Sequence, residues 1–323
     1  MRWVLAWIFL IAVGVAAFAV LFAYYSFELA GGPADKPVVV LIAPRTGVSG
    51  IAAKLRDANV VSSAVVLALN IRLRGEGGKL KAGEYEFPAH VTMADAAEIM
   101  IEGRSLQHKL TAAEGLTSEM IYALVKADPV LTGDPGPVPA EGTLLPETYL
   151  YTRGTTRAEL LERMRVAQEK YLAAHWATRT PGLPYRSKTE AIVLASLVEK
   201  ETGVPSERAR VAGVFVNRLN LGMKLQSDPT IIYGLTRGYP LGRRIRESEI
   251  LAATPYNTYV IAGLPSAPIC NPGKDAIAAV LDPQTTKDLY FVANGTGGHV
   301  FAETQEDQNR NVAAWHKIHN VQK

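Results

Sequence analysis

Apolar residues run from Trp3 to Phe27 without a single charge, and after that they recur only in short periodic groups. At about 1.5 Å per residue, such a helix is longer than the ~30 Å of hydrocarbon it must cross. A secretory signal has an apolar part of only about 7–15 residues. Length therefore favours an uncleaved membrane span over residues 3–27, with Leu29-Ala30-Gly31 as a weak cleavage sequence. Trp3 and Trp7 at one end and Tyr24 and Tyr25 at the other match interfacial aromatic belts. Arg2 before the span and Glu28 after it place the N-terminus inside and the rest outside.

Gly31 to Pro37 reads as a turn-rich linker, so residues 1–36 form a cytoplasmic stub, anchor and linker. Val38–Ile42 is a β-branched run and predicts a strand. Ile51, Ala52 and Leu55, then Val65, Val66 and Leu69, recur at helical spacing. Residues 82–88 predict a second strand, ended by Pro88. Thr92 with Asp95 resembles a capping box, opening a helix that Gly103 can terminate. Residues 37–104 thus predict a small β-α-α-β-α module. Residues 105–140 are expected to be a connecting segment, with a strand near 109–113 and a helix near 117–126. Its loop, Asp128 to Gly142, holds four prolines and three glycines and is the best internal boundary. An α+β domain is expected over 141–323.

Within that domain Ser187 and Glu190 have capping-box spacing, and the helix they open runs through AIVLASLVEKET to Gly203. Its middle is apolar nearly all round, which predicts a buried core helix. Two carboxylates stand at its C-terminal end, Glu199 and Glu201. Residues two apart on a helix lie about 200° apart, so these cannot face one site together. Three, four and seven residues before Glu201 stand Val198, Leu197 and Leu194. The same steps from Glu199 meet Ser196, Ala195 and Ile192. Glu201 is the carboxyl pressed against hydrocarbon at the negative end of a helix dipole, so its pKa is expected to be raised. A glycosidic general acid needs such a group. The plainer reading pairs Glu201 with Arg208 or Arg210, and the helix pattern alone leaves both open.

A second helix follows Pro205-Ser206, with Val211, Val214, Phe215 and Leu219 on one face. Leu225 to Thr230 is a polar cluster without helical period. Thr254 to Tyr259 and Gly263-Leu264-Pro265 interleave aromatics, amides and hydroxyls, residue types that hold sugar polymers. Each fragment is also an ordinary turn sequence.

Composition removes several alternatives. Apolar residues make up 48% of the 323 residues, enough to bury cores. A net charge of +3, evenly scattered, lacks the basic stripe that nucleic acid requires. The single cysteine, Cys270, excludes an internal disulfide framework and any CxxC site. His316 and His319 share a helix face, but no HExxH or acidic companion completes a metal site, and no GxSxG, P-loop or dinucleotide fingerprint occurs. Asn294 to His299 lies between two strand-like stretches and predicts a hairpin turn, not a phosphate cradle.

The segments ASLVEKET, VFVNRLNLGMKLQSDPTIIYG, TPYNTYVIAGLP with the following NPG, and LYFVANGTGGHVF resemble the endolytic murein transglycosylases, the MltG or YceG-like family, in order and spacing. The likeness covers roughly residues 36–320. One departure is Glu147 in LLPETYLY, where some members have Asp. The resemblance implies a YceG-like catalytic domain over 141–323 and a LysM-like, glycan-binding module over 37–104. It also implies a single-pass protein of the inner membrane with its catalytic domain on the periplasmic side. The family's catalytic glutamate falls on Glu201, with Glu199 in support. Gln226, Ser227, Asp228, Thr230, Tyr233, Tyr256, Asn257, Tyr259 and Glu147 are the candidates for holding glycan. Peptidoglycan strands are the implied substrate and cell-wall synthases the implied partners. Neither metal nor organic cofactor is implied.

With one acid and no paired carboxylate, the sugar's own 6-hydroxyl would attack the anomeric carbon and leave a 1,6-anhydro end. A hydrolytic muramidase would need a second carboxylate. The rival of another class is a catalytically silent wall-binding scaffold.

Overall fold

A computed structural model describes residues 2–321, with side-chain surroundings for residues 3–317, so the side-chain expectation for His319 lies outside what is described. The protein is mixed α+β and divides into two compact units. The first runs to His108 and includes Leu150–Gly154; the second comprises Lys109–Tyr149 and continues from Thr155.

In the first unit, helix α1 (Arg2–Glu28) is long and apolar enough to cross a membrane, and its side chains from Trp3 to Phe22 are all exposed. Its last turn differs. Phe27 is 1% exposed and belongs to the core of the module that follows. That module comprises β1 (Val38–Ile42), α2 (Val48–Asp57), α3 (Ala64–Leu73), β2 (Gly83–Phe87) and α4 (Met93–Glu102). β1 and β2 pair antiparallel, with Val40 opposite Tyr85, and both residues point into the core. The Thr92 hydroxyl accepts from Asp95 N at 3.1 Å and Gly103 closes α4 with φ 78°, the ends expected from the sequence.

Two expectations for this unit change. Residues 31–37 are no loose linker. Gly32 N donates to Val91 O at 2.9 Å, and His90 N to Ala34 O at 2.9 Å. A Cβ on Gly32 would lie 2.0 Å from Val60 O, so only glycine fits there. Helix α3 buries Leu67, Ala68 and Ile71, leaving Val65 and Leu69 outside. Ala64 to Leu73 is apolar on nearly every side, so spacing alone allows several faces. Packing against α1 and α2 selects one.

Strands β3 (His108–Thr111) and β4 (Thr148–Tyr151) carry residues of both units, and the second unit contributes α5 (Ser118–Ala127), α6 (Arg157–Ala177), α7 (Lys188–Glu201), α8 (Arg208–Asn220), α9 (Asp228–Thr236), α10 (Glu247–Ile250), α11 (Lys274–Leu281), β5 (Tyr290–Ala293), β6 (His299–Ala302) and α12 (Gln305–Val321). Helix α7 is its centre, with Ala191 through Val198 buried in succession and α8 and α11 packed against it. Ser187 Oγ accepts from Glu190 N at 3.1 Å and Glu190 accepts from Ser187 N at 3.2 Å, so the capping box forms.

Residues from Lys109 onward belong to this unit and do not merely connect. The proline-rich loop is pinned: Leu131 is buried, and Arg157 donates to the carbonyls of Val125, Asp128 and Gly133. Composition marked a boundary there because the partners are remote in sequence. Helix α7 ends without a left-handed Gly203, since Thr202 turns extended and its hydroxyl accepts from Val204 N at 3.0 Å. Asp228-Pro229 opens α9 where a loop was expected, because proline suits the first turn of a helix as well as it suits a turn. Asn294 to His299 forms the predicted β5–β6 hairpin, with Asn294 Oδ1 accepting from Thr296 N at 2.8 Å.

Candidate active site

Glu201 is the final residue of α7, and its carboxylate accepts a hydrogen bond from Ser227 Oγ at 2.5 Å. Ser227 precedes α9 and is 1% exposed. A ring of hydroxyls holds it. Ser227 N donates to Thr258 Oγ1 at 2.9 Å, Thr230 Oγ1 donates to Ser227 O at 2.6 Å, and the two threonine hydroxyls lie 3.0 Å apart. All three residues are buried, so each hydroxyl needs a partner: that of Ser227 finds Glu201, and those of the two threonines find each other and the Ser227 backbone.

Beside the ring lies Arg218 of α8, 8% exposed. Its guanidinium donates to Leu225 O at 2.9 Å, to Gln226 Oε1 at 3.3 Å and to Leu289 O at 2.6 Å. Gln226 adopts φ 54°, the left-handed region, with its side chain exposed. Tyr259 donates to Asp228 Oδ1 at 2.6 Å.

Burial dominates the electrostatics of Glu201. Loss of hydration pushes its pKa up, the Ser227 hydrogen bond pulls it down, the Asp228 charge raises it and Arg218 lowers it. The balance is about 7. The residue as a whole is only half-buried. Arg208 and Arg210, the plainer partners weighed for Glu201, face Asp275 at 3.3 Å and Asp288 at 2.7 Å instead.

Glu199 points elsewhere, as two residues on one helix must. Its carboxylate accepts from Gly273 N, at the start of α11, at 2.9 Å, and burial raises its pKa as well. Glu147 is exposed and forms an ion pair with Lys274 at 2.5 Å. Tyr233 and Tyr256 meet edge to face with centroids 4.9 Å apart, and Tyr233 donates to Glu141 Oε2 at 3.1 Å. Asn257 is 1% exposed; its amide nitrogen contacts the carbonyls of Ile250 and Ala252, at 2.9 and 2.8 Å, and its oxygen accepts from Tyr259 N at 3.0 Å. The structure thus groups Ser227, Asp228, Thr230, Tyr259 and Gln226 around Glu201. Tyr233 and Tyr256 form a second group with Glu141, and Glu147 joins neither. Among the described residues no cluster of His, Cys, Asp or Glu is placed to hold a metal ion.

Sequence reasoning missed Arg218 and Glu141. A guanidinium four residues after Val214 and three after Phe215, on an apolar face, was a usable signal for the first. Nothing in spacing marks Glu141, which accepts from Ser118 N at 2.8 Å and Asn271 Nδ2 at 3.2 Å across long stretches of chain.

Known proteins are similar to this chain. An endolytic murein transglycosylase of Streptococcus pneumoniae is 39% identical over 180 residues, covering 54% of this chain and 32% of that protein. One from Bacillus subtilis is 32% identical over 172 residues, covering 53% of this chain and 47% of that protein. The matched region thus spans less than half the length of these relatives. A crystal structure of a YceG-like protein from Listeria monocytogenes is 26% identical, with a TM-score of 0.54 over 85% of this chain and 98% of that one. The YceG-like family profile matches residues 40–314, most of the sequence, and the chain belongs to that family.

Proposed function

We propose that this protein cleaves peptidoglycan glycan strands by lytic transglycosylation, with Glu201 as acid and then as base. The observation that carries this reading is a carboxyl held near neutrality, with a pKa of about 7, and oriented by one hydroxyl. Two relatives named endolytic murein transglycosylase support it. Glu201 gives its proton to the bridging oxygen as the bond to the anomeric carbon breaks. The 6-hydroxyl oxygen of the same sugar then bonds to that carbon, and its proton passes to the Glu201 carboxylate. No water is consumed, and the product carries a 1,6-anhydro end. Enclosure that disfavours the charged carboxylate favours proton donation in the first half of this cycle.

In this reading Ser227 orients the carboxyl, while Thr230 and Thr258 hold Ser227. Gln226, Asp228 and Tyr259 stand beside the acid as contacts for sugar hydroxyls. Tyr233 is buried in the core and cannot touch glycan as the sequence suggested; it backs the partly exposed ring of Tyr256, which offers a face to a neighbouring sugar. Asn257, its amide committed to backbone, shapes the loop, and Glu199 fastens α7 to α11. Helix α1 anchors the protein in the inner membrane with both units on the periplasmic side, the LysM-like module grips glycan, and cell-wall synthases are the partners nearby.

Incubating the full-length protein in detergent with purified peptidoglycan and weighing the fragments tests the reaction. Anhydro-ended fragments are expected. Reducing ends would establish a hydrolase, with Asp228 the carboxylate to examine first, because its charge is felt at Glu201. No fragments at all would leave a wall-binding scaffold.

A further inference from the structure

The 27 residues of α1, at about 1.5 Å each, make ~40 Å of helix. That matches a bilayer with its headgroup layers, ~40–45 Å, better than the ~30 Å of hydrocarbon alone. The end of α1 therefore reaches the outer headgroup layer. Phe27 lies at that end and is also a core residue of the module. Gly32, closed in by Val60 O and Val91 O, leaves the chain no slack immediately beyond it. With α1 as the membrane span, the base of the module lies at the outer headgroup layer.

Helix α3 lies at this base. It packs against α1, and Arg74, directly after its last residue, sits 4.6 Å from the Phe27 ring centroid and pairs with Glu28. On its outward side Val65, Leu69 and Leu73 are 76%, 49% and 77% exposed. Four-residue spacing puts them on one face, opposite the buried Leu67, Ala68 and Ile71. Arg72 and Arg74 stand at the same end. An apolar stripe bordered by the exposed Arg72, starting beside a membrane-spanning helix, matches the chemistry of acyl chains beneath anionic phosphates.

We propose that α3 lies on the outer surface of the bilayer, with Val65, Leu69 and Leu73 inserted among the lipid headgroups. This rests on α1 being the membrane anchor. Helix and stripe then form a two-point attachment, which fixes the rotation of the module about α1 as well as its height.

The test uses the full-length protein in nanodiscs of phosphatidylethanolamine and phosphatidylglycerol, with one nitroxide label per variant. Val65→Cys, Leu69→Cys and Leu73→Cys change exposed positions only, and Cys270, fully buried, does not take the label. Collision with oxygen, which partitions into lipid, is compared with collision with a water-soluble nickel chelate. Leu10→Cys reports the anchor, and Glu98→Cys, on the exposed side of α4, reports water. The oxygen-to-nickel ratio at the three α3 positions is expected to be several-fold above that at Glu98, and below that at Leu10. Water-like ratios on α3 beside a lipid-like Leu10 overturn this inference and leave the anchor intact. A water-like Leu10 overturns both. Shielding of α3 from both reagents indicates a glycan or protein cover and likewise overturns it.

Discussion

The module fills its core with Phe27, Ile42, Leu55, Leu67, Ile71, Tyr85, Phe87 and Met100, and among the described residues Ser26 and Glu84 are its buried polar side chains. The second unit is as apolar along α7, yet it buries Ser196, Thr202, Arg218, Ser227, Thr230, Asn257, Thr258 and Asn271 close by. A buried polar group costs free energy unless it is bonded, and those bonds have direction. Apolar packing asks chiefly for volume, and tolerates adjustment. The module is thus built for stability. The second unit uses its buried polar groups to hold loops in fixed relation, and Ser227, Thr230, Thr258 and Arg218 among them lie about Glu201.

Substitutions at the centres of the two regions separate these roles. Glu201→Gln is expected to lower glycan cleavage by about 10²–10⁴-fold while the protein stays folded, as read by fragment release and a melting curve. The pH dependence should change with it. A carboxyl raised from 4.5 to about 7 contributes stability fully below 4.5 and loses it as pH rises through about 7. Wild-type activity should accordingly fall above about pH 7, and the glutamine variant should lack that slope in stability. Phe27→Ala gives the opposite pattern: a loss of about 3–5 kcal/mol in the module, read by hydrogen exchange, with the rate of bond cleavage kept. If it slowed the chemistry as much as Glu201→Gln, the division of labour drawn here would fail.

Smaller changes sharpen the picture. Ser227→Ala removes the bond that favours the charged form of Glu201. The basic limb of the pH–rate profile should move up by about one unit, with a rate loss of about tenfold. A downward move would contradict the geometry. Glu199→Gln should have the least effect, because an amide oxygen can still accept from Gly273 N. Equal losses from Glu199→Gln and Glu201→Gln would refute the assignment of roles.

What the sequence reveals follows the range of the forces involved. Ser187 with Glu190 and Thr92 with Asp95 are legible because a cap is completed within four residues. The opposed directions of Glu199 and Glu201 follow from helix geometry alone. Helix α3 is less legible, since apolar residues on every side leave its buried face to tertiary contacts. Residues 31–37 look loose because their partners, Val60 and Val91, are distant in sequence. Arg218 and Glu141 escape notice for the same reason: each is defined by partners that only folding assembles.

Gln226 carries one consequence further. A side chain in the left-handed region costs roughly 1–2 kcal/mol that glycine would avoid, and here it is retained with its amide held by Arg218 one step from Ser227. Laboratory selection for heat resistance would favour glycine at residue 226, and selection for turnover would restore glutamine. On the proposed function, a hardier descendant would thus announce itself by a sluggish grip on sugar.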